Sequence, residues 1–248
     1  MRAPLQLALA ALLLAACEGP APFCGGFEDP LAYELSLSKL SLNLDEFVPV
    51  AGELCVEQPT GCECVSTDED GLIRVDAPRN TEILGEVHAT GYVSTILVHR
   101  SDEVDRFTAM RVLDRATLTI LGGTIGERIE RTRGQLAMRI SAAEGADVTG
   151  SVVTLRNLDT GEVVPSVYTQ GRIPDPDATS SDDSGVVLGV NLVEGRYEAE
   201  SAALGTCGVI DAGWPRYDAS GRLRALEFVV RADRVTLIDA LRCFGPGA

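Results

Sequence analysis

Apolar and polar residues alternate with a period of two along most of the chain, which is the pattern of strands that bury one face. Residues 33–38 alternate in this way, and residues 40–44 repeat the pattern one register later, which indicates a bulge or a break. Turns rich in Asp, Gly, Pro and Asn separate the predicted strands. The other strand candidates are residues 50–57, 62–66, 72–76, 81–89, 94–100, 106–112, 136–140, 148–157, 163–167, 186–190, 196–203, 222–231 and 235–244. Short strands at a spacing of about ten residues, with few helix candidates, predict an all-β chain built from sandwiches or barrels.

A helix candidate separates the two halves of this pattern. Asp114 is placed to cap a short helix over residues 115–121, which Gly122 and Gly123 would end. The charged run 127–133 that follows is typical of a linker. We therefore predict an all-β fold of two tandem antiparallel β-sandwich modules, residues 31–113 and 135–245, joined by a linker over residues 114–134 that contains a short helix.

The N-terminal residues are arranged as in a secretory signal peptide, with a positive charge followed by an apolar run. Arg2 supplies a positive charge, and the apolar run 5–16 would be roughly 18 Å long as a helix, too short for a hydrocarbon core of about 30 Å. The run ends in Leu14-Ala15-Ala16-Cys17, which resembles the lipobox of bacterial lipoproteins. The resemblance implies removal of residues 1–16 and acylation of Cys17. The alternative is an ordinary signal peptide with a chance cysteine.

Residues 17–30 are rich in Pro and Gly and are interpreted as a short tether behind the anchor. Several acyl chains on Cys17 would hold the protein firmly to a membrane, because each buried methylene contributes about 0.8 kcal/mol. Inner-membrane lipoproteins usually carry aspartate after the acylated cysteine. Glu18 stands there instead, which favours the outer membrane as the location of this exported protein.

Acidic residues dominate the charged positions. The chain has 37 Asp and Glu against 21 Lys and Arg, a formal net charge of −16. Nucleic acid and anionic lipid headgroups are both bound through Lys and Arg, so this balance argues against either as a partner. The expected membrane contact is therefore the lipid on Cys17.

Seven cysteines are present, and an even number remains if Cys17 carries lipid. An even count in an exported chain favours disulfides, and six cysteines allow 15 pairings. A hairpin with a four-residue loop, Gln58 to Gly61, would place Cys55 opposite Cys64. The further pairs that we expect are Cys24–Cys62 and Cys207–Cys243.

Two stretches of the chain follow the same order of turn, strand, tight turn and strand. The first runs from Ser66 through the turn Asp68–Gly71 to Pro78, with Gly91-Tyr92 after the next strand. The second runs from Ser180 through Gly185 to Gly195 and Tyr197. Upstream of each, residues 50–56 and 148–155 share a Gly-containing strand pattern.

These sequence motifs resemble those of the carboxypeptidase regulatory-like family, whose members are transthyretin-like or Ig-like β-sandwiches with a carbohydrate-binding-like fold. Gly71 and Gly185 match the glycine of its first turn, and Gly195 and Tyr197 match its second. Asn80 departs from the pattern, because glycine is usual there. The resemblance implies that both modules are β-sandwiches.

Other residues with possible chemical roles have simpler structural interpretations. The acidic runs 68–70 and 182–183 supply too few oxygens at the right spacing for a calcium loop and are interpreted as turns. His88 and His99 lie on different predicted strands, and Cys62-Glu-Cys64 lacks the spacing and further ligands of a zinc site. No Gly-x-Ser-x-Gly elbow occurs. We therefore predict no catalytic residue, no metal site and no cofactor.

Trp214 is the single tryptophan, and it is assigned to a loop. It could stack against a sugar, but a packed anchor for that loop is the preferred interpretation. Aromatic residues are only 5% of the chain, which argues mildly against a sugar-binding role. We expect a non-enzymatic, lipid-anchored envelope protein with structural or adhesive modules, whose partner is an envelope protein or a glycan. A carbohydrate-binding module protein is the alternative.

Overall fold

The structure is a computed structural model that describes residues 31–40, 48–58, 64–101, 106–140, 148–171, 173–206 and 213–238. Strands dominate these ranges. The first half contains β1 (Leu31–Lys39), β2 (Glu53–Gln58), β3 (Val65–Ser66), β4 (Leu72–Ala77), β5 (Glu82–His88), β6 (Thr95–Arg100), β7 (Arg106–Val112) and the helix α1 (Arg115–Thr124). The second half contains β8 (Gly134–Arg139), β9 (Thr154–Asn157), β10 (Val163–Val164), β11 (Val167–Gln170), β12 (Ile173–Asp175), β13 (Val186–Leu192), β14 (Gly195–Glu200), a 3-10 helix (Ala202–Thr206), β15 (Trp214–Tyr217), β16 (Leu223–Val230) and β17 (Val235–Ile238).

The described strands form three sheets. A nine-stranded sheet has the order β12-β11-β13-β8-β17-β6-β5-β2-β3, a three-stranded sheet has the order β4-β1-β7, and a five-stranded sheet has the order β10-β9-β14-β16-β15. The all-β prediction is thereby confirmed. Most strand pairs are antiparallel, but β1 runs parallel to β7, and β17 runs parallel to both of its neighbours.

One face of the nine-stranded sheet packs on the three-stranded sheet. Alternate residues of a strand point to opposite faces, so Leu54, Ile83 and Leu97 share this face and are buried. Leu35 and Met110 cover them from the three-stranded sheet. The other members of this core are Leu37, Val50, Val56, Ile73, Ala77, Val87 and Val112.

The opposite face packs on the five-stranded sheet and forms the larger core. Tyr197 and Phe228 stack at its centre with their rings 5.9 Å apart. Ile96 and Val98 of β6 belong to this core, although they precede the predicted boundary between the modules. The five-stranded sheet therefore covers strands from both halves of the chain.

The two sandwiches share one sheet because β17 lies between β6 and β8. Val235 is the Cα partner of Thr95 on one side and of Gln135 on the other. Sequence spacing predicted two sandwiches but not this shared layer. The module boundaries at 113 and 135 remain a prediction.

Helix α1 follows the three-stranded sheet, and its capping residue is the predicted one. Asp114 accepts a hydrogen bond from the Thr117 amide at 2.7 Å. The helix continues through Gly122 and ends at Thr124, three residues beyond the predicted end. A Cβ on Gly122 would lie 2.8 Å from the Ile129 side chain, so glycine here permits close packing rather than ending the helix.

Candidate functional site

The Cys55–Cys64 disulfide is confirmed. The sulfurs are bonded at 2.04 Å, and the Cα atoms are 4.1 Å apart. Glu53 lies beside them, and its carboxylate and the two sulfurs fall within 4.8 Å of one another. Both sulfurs are used in the bond, so neither is available as a thiolate ligand. The other cysteines named above, Cys17, Cys24, Cys62, Cys207 and Cys243, lie outside the described residues, and their roles remain predictions.

The two acidic runs form turns, as predicted. The Asp68 carboxylate accepts hydrogen bonds from the amides of Asp70 and Leu72, both at 2.9 Å. The Leu72 amide is the largest cause of the lowered pKa of Asp68. Gly71 closes the turn with φ of 76°, and Gly185 closes the turn of Asp182 with φ of 65°.

Each of these two turns is docked against a neighbouring strand. The Gly71 carbonyl accepts a hydrogen bond from the Leu37 amide at 2.8 Å, and the Gly185 carbonyl accepts one from the Ile140 amide at 2.8 Å. Burial raises the pKa of Asp182, but hydrogen bonds from Ser184 and the Gly171 amide outweigh it and lower the pKa. The carboxylates hold loops in shape.

A third turn of this kind was not predicted. Asp218 accepts hydrogen bonds from the Ser220 amide at 2.8 Å and the Arg222 amide at 3.0 Å. The Ser220 hydroxyl and then the Arg222 amide lower the pKa of Asp218 to about 2. The signal in the sequence was the same Asp-x-x-Gly spacing, ending at Gly221.

The remaining predicted residues are structural in this fold. Trp214 is 4% exposed and its indole nitrogen donates to the Ile83 carbonyl at 3.4 Å. It lies in strand β15, not in a loop as predicted, and its burial matches the packed-anchor interpretation rather than an exposed stacking surface. His88 and His99 lie on β5 and β6, as predicted. They face opposite sides of the sheet, because His99 is the partner of Ile83.

Ion pairs that the sequence did not predict join the two halves. Glu86 on β5 is bound by Arg234 and lies 3.7 Å from Arg231. Arg231 also donates to Glu57 on β2, with Nη2 to Oε2 at 2.6 Å. The His88 imidazole lies 3.6 Å from the Glu86 carboxylate. Two arginines of the second half thus neutralise two carboxylates of the first.

A second set of ion pairs covers the outer face of the five-stranded sheet. Glu198 and Glu227 are directly opposite each other on β14 and β16, and their side chains are only 11% and 7% exposed. Like charges placed so would repel. Two arginines bind each carboxylate, Arg156 and Arg224 for Glu198, and Arg196 and Arg216 for Glu227. Neither of these two carboxylates is free to act as a general base.

A groove of about 560 Å³ lies on the nine-stranded sheet, on the face away from the five-stranded sheet. Its floor is formed by β8, β13 and β17, and helix α1 forms one wall. The residues that line it include Leu113, Leu118, Leu121, Ile125, Ile129, Ala137, Val186, Leu188, Val190 and Leu237, with Arg111, Arg139 and Asp183 among the polar ones. No sequence pattern predicted this groove, because the residues that line it come from several separate segments of the chain.

No protein-family profile and no curated protein matches the chain. Among solved structures, the chain is similar to the Bacillus anthracis TIE protein, with 14% identity, a TM-score of 0.27, and coverage of 84% of this chain and 33% of that one. It is also similar to a streptococcal ancillary pilin, with 13% identity, a TM-score of 0.26, and coverage of 88% and 63%. The chain thus spans about a third and somewhat under two thirds of these two proteins.

A third similar structure is the shaft pilin SpaA from Lactobacillus rhamnosus GG, with 11% identity, a TM-score of 0.25, and coverage of 89% of this chain and 99% of that one. At these scores the comparisons support no statement about activity or partners. The resemblance to the carboxypeptidase regulatory-like family remains a prediction.

Helix α1 has ten residues. Among the residues that the structure describes, no helix has the length and apolar character needed to cross a membrane.

Proposed function

We propose that this chain is a non-catalytic, lipid-anchored envelope protein whose two sandwiches act as one stiff structural or adhesive unit. The observation that carries this proposal is the position of β17, which is paired with a strand of each half. A shared sheet resists bending far better than two modules joined by a flexible linker, and stiffness is what a spacer or an adhesive needs.

The ion pairs support the same conclusion. Arg231 and Arg234 follow β16, and they bind Glu57 and Glu86 on β2 and β5. The two halves are therefore joined in three ways: by the pairing of β17, by the packing of β6 under the five-stranded sheet, and by these ion pairs at the surface. The halves should therefore move as a single body.

The proposal that the protein is non-catalytic is supported by the structural roles of carboxylates in the described residues. Glu86, Glu198 and Glu227 are each neutralised by two arginines, and Asp68, Asp182 and Asp218 hold turns. General acid–base catalysis needs such a group within reach of a substrate. The two described histidines face opposite sides of the sheet, so they cannot act as a pair.

The lipid anchor is tested by fractionation of cells that express the full chain. Cys17→Ser should move the protein from the membrane fraction to the soluble fraction, whereas the neighbouring substitution Glu18→Gln should leave it in the membrane. Membrane partition of Cys17→Ser equal to that of the unchanged chain would refute the anchor.

The adhesive role is tested with the soluble Cys17→Ser chain as bait in envelope extract, alongside a glycan array. The proposal expects saturable capture of an envelope protein and no saturable signal on the array. Sugar sites commonly stack on exposed aromatic rings, and Tyr217, 41% exposed, is the one aromatic among the large apolar side chains exposed in the described residues. Binding of one glycan class, lost in Tyr217→Ala, would replace the adhesive proposal with the carbohydrate-binding alternative.

A further inference from the structure

The groove lies on the face of the nine-stranded sheet that packs against the three-stranded sheet, but over different strands. Over β2, β5 and β6 this face is covered by the three-stranded sheet. Over β8 and β13 no strand among the described residues lies on it. Leu188 and Val190 point into the groove, while Val187, the residue before Leu188, is fully buried in the opposite core. The floor is therefore apolar and partly exposed, which is a feature of binding sites.

The groove has a volume in the range of small-molecule sites, which is about 300–1,000 Å³. Its strands have no free edge. In the sheet order, β13 lies between β11 and β8, β8 between β13 and β17, and β17 between β8 and β6. An extended peptide needs unpaired backbone groups to add to a sheet. Each floor strand is already paired on both sides, which favours an acyl chain over an added peptide strand.

Two arginines add charge to this apolar surface. Arg111 and Arg139 line the groove, and the Arg139 Nε donates to the Ser184 carbonyl at 3.2 Å. Within the described part of the chain, no carboxylate lies in salt-bridge range of either guanidinium, although Asp183 also lines the groove. Arg216 and Arg231, by contrast, each bind two carboxylates. A guanidinium beside an apolar floor is suited to a carboxylate or a phosphate.

We propose that this groove binds a single-chain amphiphile with an anionic headgroup. The acyl chain lies along Ala137, Leu188 and Leu237, and the headgroup is bound by Arg111 and Arg139. This inference goes beyond the proposed function, and it does not depend on the lipid anchor at Cys17.

The test uses the full soluble Cys17→Ser chain and titrates it with palmitate, hexadecyl phosphate and hexadecanol, which share a sixteen-carbon chain. Calorimetry or displacement of an environment-sensitive fluorophore measures the Kd. Palmitate or hexadecyl phosphate should bind saturably, and hexadecanol should bind about tenfold or more weakly, because a hydrogen bond to a charged group contributes about 1.5–3 kcal/mol. The two anions also distinguish a carboxylate site from a phosphate site.

Four variants test where the amphiphile binds. Leu188→Trp should abolish binding by filling the floor, with Val190→Trp as the second variant if circular dichroism shows that the first does not fold. Arg111→Gln with Arg139→Gln should weaken anion binding about tenfold and leave hexadecanol unchanged. Arg222→Gln, in the remote turn at Asp218, should change nothing. The proposal is overturned if the folded chain binds neither anion, if binding survives in a tryptophan variant that folds, or if hexadecanol binds as tightly as the anions.

Discussion

Arg231 donates to both carboxylate oxygens of Glu57, which lies 174 residues earlier in the chain. Each partner changes the other's titration. The hydrogen bond from Arg231 is the largest cause of the lowered pKa of Glu57, and the hydrogen bond to Glu57 is the largest cause of the raised pKa of Arg231. The pair joins β2 to the segment after β16, so it reports whether the two halves are in contact.

The first prediction concerns the independence of the modules. A chain limited to residues 31–113 should fail to fold as a soluble monomer, because Ile96 and Val98 would lose the five-stranded sheet that covers them and β6 would lose β17. Circular dichroism and gel filtration of this fragment provide the measurement. The full chain should unfold in one calorimetric transition, and two separate transitions would contradict the shared sheet.

The second prediction concerns a buried carboxylate. Glu227→Gln should lower the free energy of unfolding by about 2 kcal/mol, because Arg196 and Arg216 would lose the anion that they share, whose side chain is only 7% exposed. The matched control is Glu34→Gln, whose carboxylate is 39% exposed beside Arg74 and should cost less than about 1 kcal/mol. Urea unfolding of both variants tests the difference, and equal losses would show that burial does not set the cost.

The third prediction compares two glycines with the same backbone conformation. Gly185 and Gly221 have φ of 65° and 80°, but a Cβ on Gly185 would overlap the Ile140 carbonyl oxygen, whereas one on Gly221 meets nothing within 4 Å. Gly221→Ala should cost about 1 kcal/mol, the strain of a left-handed alanine. Gly185→Ala should cost at least twice that. Thermal unfolding measures both, and the opposite ranking would mean that the turn at Asp182 is not docked on Ile140.

The fourth prediction concerns acid stability. Asp218 has a pKa of about 2 in the folded chain against an ordinary value of 3.8. Its contribution to stability is therefore complete above pH 4 and is lost as the pH falls from about 4 to 2, because the unfolded chain takes up the proton first. Asp218→Asn should flatten the fall of the unfolding midpoint across that window. A midpoint profile parallel to that of the unchanged chain would show that this turn does not contribute.

The fifth prediction concerns the disulfide between Cys55 and Cys64. Replacing both cysteines with alanine should lower the free energy of unfolding by about 2–3 kcal/mol, as expected for closing a loop of this short length. The paired substitution avoids leaving one reactive thiol. Mass spectrometry of non-reduced peptides checks the bond itself, and stability unchanged by the double substitution would place its role outside folding.

The sequence by itself determined the features that depend on neighbours along the chain. Alternating residues specified strands, Asp68 and Gly71 specified a turn, Asp114 specified a helix start, and Cys55 specified its bond to Cys64 nine positions away. Each of these follows from backbone geometry and from contacts within about ten residues.

Only the tertiary structure decided which strands share a sheet. The sequence of residues 235–238 does not indicate that they lie parallel between β6 and β8. The sequence around Glu86 likewise does not indicate that its partner is Arg234, 148 residues away. The burial of Trp214 and the open groove beside Leu188 likewise depend on how sheets stack. The physical reason is that a period-two strand pattern specifies a buried face but not its cover, which is chosen by the packing of the whole chain.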